Sequence, residues 1–123
     1  MSLHRRFRPE AFLFEVFITI RYLKFAELEL VIDALFGIGL TRPVEGFFRE
    51  VISWVNKSRV PVLSVDVPSG LNSDSGQVMG VAIQAKVTGT LAALKPGLLR
   101  KDGPKQAGTI KILDISIPQR LLQ

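Results

Sequence analysis

Leu30-Val31-Ile32-Asp33-Ala34-Leu35-Phe36-Gly37-Ile38-Gly39 is the stretch that decides the fold. It is a short apolar run interrupted by Asp33, the pattern of a strand buried in a parallel sheet. Gly37, Gly39 and Pro43 then punctuate a loop. Phe47, Val51, Ile52, Trp54 and Val55 follow at helical spacing, with Glu45, Arg49, Glu50 and Lys57 mostly between them. A second buried-type strand is expected over 61–65, stopped sharply by Asp66-Val67-Pro68-Ser69-Gly70. A third is expected near 87–91, ended by Lys95-Pro96-Gly97. Gly103 and Pro104 mark a further loop, and 109–114 reads as a last strand before Pro118. This rhythm of strand, helix, strand, loop, strand, loop, strand belongs to an α/β domain with a mostly parallel sheet.

Upstream the composition changes. Phe7, Phe12, Phe14, Phe17 and Phe25 lie in a stretch without glycine, which reads as helix. Residues 1–26 are set apart as an atypical N-terminal segment. The 123 residues allow one domain. The absence of cysteine excludes a disulfide framework, a thiolate zinc site and cysteine catalysis. A single histidine, His4, excludes His-rich metal sites and argues against a Ser-His-Asp triad. The net charge of +5 permits an anionic partner. The pairs Arg5/Arg6 and Arg100/Lys101 stand far apart, however, so a solvated basic surface is the better reading and nucleic acid is not expected. No apolar run reaches the ~20 residues that span a bilayer. Arg5, Arg6 and Arg8 before the apolar run 11–20 resemble a signal peptide, but Arg21-Tyr22-Leu23 offers no small-residue cleavage site. A soluble, cytoplasmic protein is expected.

In open α/β sheets, ligands bind beyond the carboxyl ends of the strands. Asp33 and Asp66 fall at such ends, and neighbouring parallel strands would turn both towards one crevice. Gly37-Ile38-Gly39-Leu40-Thr41-Arg42-Pro43 joins a strand to a helix. It is either a phosphate cradle or a plain tight turn. It is neither a three-glycine dinucleotide fingerprint nor a Walker motif. Asp66-Val67-Pro68-Ser69-Gly70 is more specific. Pro68 restrains the chain direction, Gly70 can take a positive φ, and a carboxylate and a hydroxyl three residues apart can converge on a cation or a sugar hydroxyl. The competing reading is a turn in which these side chains merely cap loop backbone. Lys95 before Pro96-Gly97 reads, on its own, as a solvated turn residue.

Four segments in order carry a family resemblance: 31–40, with Asp33-Ala34-Leu35-Phe36-Gly37; 65–71, with Asp66-Val67-Pro68-Ser69-Gly70; 93–99, with Lys95-Pro96-Gly97; and Asp114-Ile115-Ser116-Ile117-Pro118. The chain resembles the YjeF N-terminal domain family, the NAD(P)H-hydrate epimerases, over about residues 27 to 118. The resemblance implies a Rossmann-like three-layer αβα sandwich, with 27–123 as its C-terminal part and the N-terminal side apparently truncated. It implies an isomerase that interconverts the R and S forms of hydrated NADH and NADPH, with a bound potassium ion. By position, Asp33 and Ser69 resemble potassium ligands. Gly37, Ile38, Gly39, Leu40, Thr41, Arg42 and Pro43 resemble the loop that holds the dinucleotide. Asp66 resembles the substrate-contacting carboxylate and is the best-placed acid or base. Lys95 matches a family lysine to which no role is assigned. A homodimer and a fused or separate dehydratase are the partners implied. The family's Asn-Asn-Gly-Gly-Asp loop is not found in the sequence, so an incomplete substrate site is expected. The alternative is a non-catalytic binding or scaffold module of the same fold.

Overall fold

The computed structural model describes residues 28–36, 40–116, 118 and 120. The helix expected upstream of residue 27, and Gly37, Ile38 and Gly39 of the expected dinucleotide loop, lie outside the described residues. The strands are β1 (Val31–Asp33), β2 (Val62–Val65), β3 (Val87–Leu91) and β4 (Thr109–Leu113). They form one sheet in the order β1-β2-β3-β4, and every pair is parallel. Sequential neighbours that run parallel require a crossover each time. Helix α1 (Gly46–Ser58) supplies the first, and a 3-10 turn (Pro96–Leu99) followed by helix α2 (Gly103–Ala107) supplies the last. The chain is therefore α/β, as its rhythm suggests.

The pleat decides which side chains meet. Val31 and Val62 are register partners, as are Asp33 and Ser64. Alternation puts all four on one face. Helix α1 packs there, burying Val51, Ile52 and Val55 with Val62, Val44, Ile83 and Ala85. Thr88 of β3 lies on the same face, and its hydroxyl donates to the Ala107 carbonyl of α2 at 2.8 Å. A second cluster of Val67, Leu71, Leu98 and Ala107 continues this layer. The opposite face carries Ile32, Leu63, Val65, Val87 and Leu91, with Ile32 63% exposed. Among the described residues, helices pack on the first face alone.

Two local departures from the sequence reading have clear causes. The first strand is only three residues long, because the chain leaves the ladder once Asp33 is captured by groups on a neighbouring loop. Gly103-Pro104, read as a loop, instead opens the short helix α2 with proline in its first turn. Proline fits there because the N–H it lacks would have no partner in the helix. Five residues are too few to show a helical period. Helix α1 ends as Arg59 enters the left-handed region at φ +59°, which frees the chain to turn into β2.

Gly70 is the tightest backbone position near the strand ends. Its φ is +95°, and a Cβ there would sit 1.9 Å from the Val81 carbonyl oxygen. Gly46 also has a positive φ, +62°, but nothing lies within 4 Å of an added Cβ. Gly70→Ala is expected to destabilise the fold by ~3 kcal/mol or more, combining backbone strain with overpacking. Gly46→Ala should cost ~1–2 kcal/mol, the left-handed penalty alone. Urea midpoints of the two variants measure the difference, and equal losses would contradict this packing.

Candidate functional site

Two carboxylates end neighbouring strands, and the structure gives them different tasks. Asp33 closes β1 and is only 3% exposed. Its Oδ2 accepts from the Ser64 hydroxyl at 2.7 Å and from the Ser69 N–H at 2.8 Å. Its Oδ1 accepts from the Ser69 hydroxyl at 2.5 Å. A buried carboxylate needs such donors, because removal from water without them is costly. The Ser69 hydroxyl also accepts from the Phe36 N–H at 2.9 Å and lies 3.4 Å from the Phe36 carbonyl oxygen. Asp33 and Ser69, which the sequence places 36 residues apart, thus meet directly. Ser64 joins them without having been singled out. Its signal was a hydroxyl inside the apolar run of β2, one strand over from the aspartate.

Oxygens of three kinds gather here: the Asp33 carboxylate, the Ser69 hydroxyl and the Phe36 carbonyl. An all-oxygen donor set fits a hard cation and not a soft transition metal. Among the described residues no three His, Cys, Asp or Glu side chains cluster. With a single carboxylate among these oxygens, the donor chemistry fits a singly charged hard cation.

Asp66 stands at the end of β2 with its backbone in the left-handed region, φ +70°. The Val67 N–H donates to the Val65 carbonyl at 2.9 Å across it. A three-residue turn around a positive φ is a rare, strained arrangement. β3 ends the same way. Ala92 has φ +60°, and the Ala93 N–H donates to the Leu91 carbonyl at 2.6 Å. Two adjacent parallel strands thus stop at strained turns, and the carboxylate bridges them. Its Oδ1 accepts from the Leu91 N–H at 3.1 Å, the Thr90 hydroxyl at 3.2 Å and the Lys95 ammonium. Oδ2 receives no donor from the described residues. Strain of this kind gathers at functional sites, where the surroundings hold it in place.

Burial alone would raise the Asp66 pKa. The Lys95 hydrogen bond, the Leu91 N–H, the Lys95 charge and the Thr90 hydroxyl together outweigh it, holding the carboxyl below its ordinary 3.8. Asp66 is thus ionised at neutral pH. The contribution of this ionisation to stability is present above the ordinary value and is lost as pH falls through the lowered one.

Of the expected dinucleotide loop, Leu40, Thr41, Arg42 and Pro43 are described. The Leu40 carbonyl accepts from the Asn72 amide at 3.3 Å, which ties this segment to the loop after β2. Thr41, Arg42 and Pro43 are exposed. Helix α1 begins only at Gly46, so its N-terminus lies three residues beyond Pro43.

The family model described as "YjeF-related protein N-terminus" matches residues 8–97. The chain belongs to this family. The match reaches back into the segment that composition had set apart. Over 88 residues the YjeF-type chain is 49% identical to a protein of Limosilactobacillus fermentum named NAD(P)H-hydrate epimerase, covering 72% of this chain and 42% of that protein. Over 93 residues it is 46% identical to the bifunctional NAD(P)H-hydrate repair enzyme Nnr of Salinibacter ruber, covering 76% and 17%. The chain thus spans well under half the length of these curated relatives. The crystal structure of yeast ynu0 superposes with a TM-score of 0.58 at 27% identity, covering 72% of this chain and 37% of the yeast one. Among the described residues no helix is long and apolar enough to cross a membrane.

Asp33→Asn tests the buried cluster. The amide would turn donors towards the Ser64 and Ser69 groups that now donate to the carboxylate. The expected loss is ~2–3 kcal/mol of stability in urea unfolding. A loss within ~0.5 kcal/mol, the range of ordinary surface changes, would contradict the cluster's role.

Proposed function

We propose that this chain carries the catalytic strand ends of an NAD(P)H-hydrate epimerase, which interconverts the R and S forms of hydrated NADH and NADPH. The observation that carries the reading is Asp66: ionised, held by one oxygen and open at the other. Identity of 49% to a protein named for this activity supports it.

The substrate bears a hydroxyl on the carbon next to the ring nitrogen. In one route the ring opens: Asp66 takes the hydroxyl proton, a carbonyl forms, the carbon–nitrogen bond breaks and the nitrogen gains a proton. Closing on the other face of the carbonyl inverts the centre. In the other route the hydroxyl takes a proton from solvent and leaves as water, which leaves a cationic ring, and the proton released when water adds back returns to solvent through the carboxylate. The carboxylate stabilises that charge, then accepts a proton from the water that adds to the opposite face. Both routes use a general base beside the reacting carbon, an effect of roughly 10²–10⁴-fold.

Asp33 and Ser69, with the Phe36 carbonyl, would hold a potassium ion. Bound there, it would offset phosphate charge and fix the loop after β1. Gly37 to Pro43 would then lie along the dinucleotide, and Asp66 would face its hydrated ring. A dehydratase, fused or separate, would consume the S form, in keeping with the bifunctional name of the Salinibacter relative. A cytoplasmic, homodimeric enzyme completes the proposal.

The test is interconversion of the two NADHX epimers by the chain, followed by chromatography with and without potassium. Potassium-dependent interconversion is expected, slower than that of a full-length relative because the Asn-Asn-Gly-Gly-Asp loop is not found in the sequence, and Asp66→Asn should lower the rate a further ~100-fold. Full activity of a folded Asp66→Asn variant would refute the role of Asp66. No interconversion at any potassium concentration would refute the epimerase reading in favour of a binding module.

A further inference from the structure

The structure accounts for all three hydrogens of the Lys95 ammonium. An ammonium has three donors. Here they go to Asp66 Oδ1, to the Thr90 hydroxyl at 3.1 Å and to the Leu91 carbonyl at 2.7 Å. None is left for a phosphate or a ring hydroxyl. The side chain is only 19% exposed. A solvated turn lysine would look different.

The backbone around it is equally committed. Lys95 is extended, with φ −83° and ψ 135°, the conformation a residue before proline prefers. Pro96 opens the 3-10 turn. Gly97 donates to the Ser73 carbonyl at 2.7 Å, and a Cβ at Gly97 would lie 2.2 Å from the Asn72 carbonyl oxygen. The turn is therefore clamped onto the loop that follows β2. Each residue of Lys95-Pro96-Gly97 serves one end: proline sets the lysine's backbone, glycine allows the dock, and the side chain reaches back to Asp66.

We propose that Lys95 is a positioning residue that acts through Asp66, binding Oδ1 across the β2/β3 boundary so that Oδ2 alone faces the substrate. The substrate half of this statement rests on the epimerase reading, whereas the hold on Asp66 does not. Among the described residues, the ammonium forms its ion pair with Asp66. Thr90, Lys95 and Asp66 each bond the other two, and Leu91 joins the lysine through its carbonyl and the aspartate through its N–H.

Two measurements decide it, and neither needs activity. In the unmodified chain, a nitrogen-detected NMR spectrum should show a distinct, slowly exchanging Lys95 ammonium, because bonded hydrogens exchange slowly with water. An ammonium exchanging as fast as the surface lysines overturns the proposal. In Lys95→Met, the Asp66 carboxyl carbon signal should titrate with proton affinity raised about tenfold or more, as expected when an opposite charge is removed. Lys95→Arg should restore much of the original titration. An unchanged titration in a folded Lys95→Met chain overturns the proposal. Where the unmodified chain interconverts NADHX, the acid limb of its pH–rate profile should move upward in Lys95→Met with the titration. A chain that passes both NMR tests yet never epimerises refutes the proposed function and leaves the hold on Asp66 standing.

Discussion

One buried carboxylate ties the end of one strand to the loop after the next. β1 has three residues in the ladder, and among the described residues it pairs only with β2. Such a short strand contributes little by itself. Asp33 adds bonds to Ser64 within the sheet and to Ser69 beyond it. Hydrogen bonds to a charged group are each worth ~1.5–3 kcal/mol when a partner is lost. Three on one side chain make the β1–β2 junction a fixed point. Ser69 passes the constraint to Phe36, so the chain leaving β1 is held as well.

From that fixed point the loop after β2 is placed, and with it Asp66. The turn at Asp66 departs from relaxed backbone geometry, and its strain has to be offset by neighbours. Pro68 and Ser69, both buried, lock the downstream side. The Asp66 N–H donates to the Gly89 carbonyl at 2.8 Å, and its carboxylate bonds to Leu91, Thr90 and Lys95, which lock the other. The result is a carboxylate presented between two strand ends with one oxygen assigned and one open. That is a chemical tool as much as a structural one, and the crevice beyond a parallel sheet is where such tools are found.

Much of this was legible in the residues. β3 falls where β-branched residues gather, and the parallel sheet follows from the apolar runs and their spacing. Asp33 and Asp66 are recognisable because they stand at strand ends, and Ser69 because it lies on the rigid turn that Asp66 begins. What the sequence hid is long-range. Lys95 looked like a surface turn residue because its partner lies 29 positions earlier. Ser64 and Thr90 looked like ordinary strand residues, since only register shows what they face. Asp33 and Asp66 do follow neighbouring strands, but Asp33 is buried among its hydrogen-bond partners, whereas Asp66 keeps one oxygen without a donor from the described residues. The positive φ at Asp66 had no signal, because glycine usually takes such a position. α2 was too short for a period, and only its proline hinted at it.

Asp33 and Ser69 act as one unit, and a double-mutant cycle measures that directly. Urea unfolding of Asp33→Asn, Ser69→Ala and the double variant should give a coupling of ~2 kcal/mol, as for contacting members of one hydrogen-bond network. Losses that add to within ~0.5 kcal/mol, as for independent sites, would contradict it.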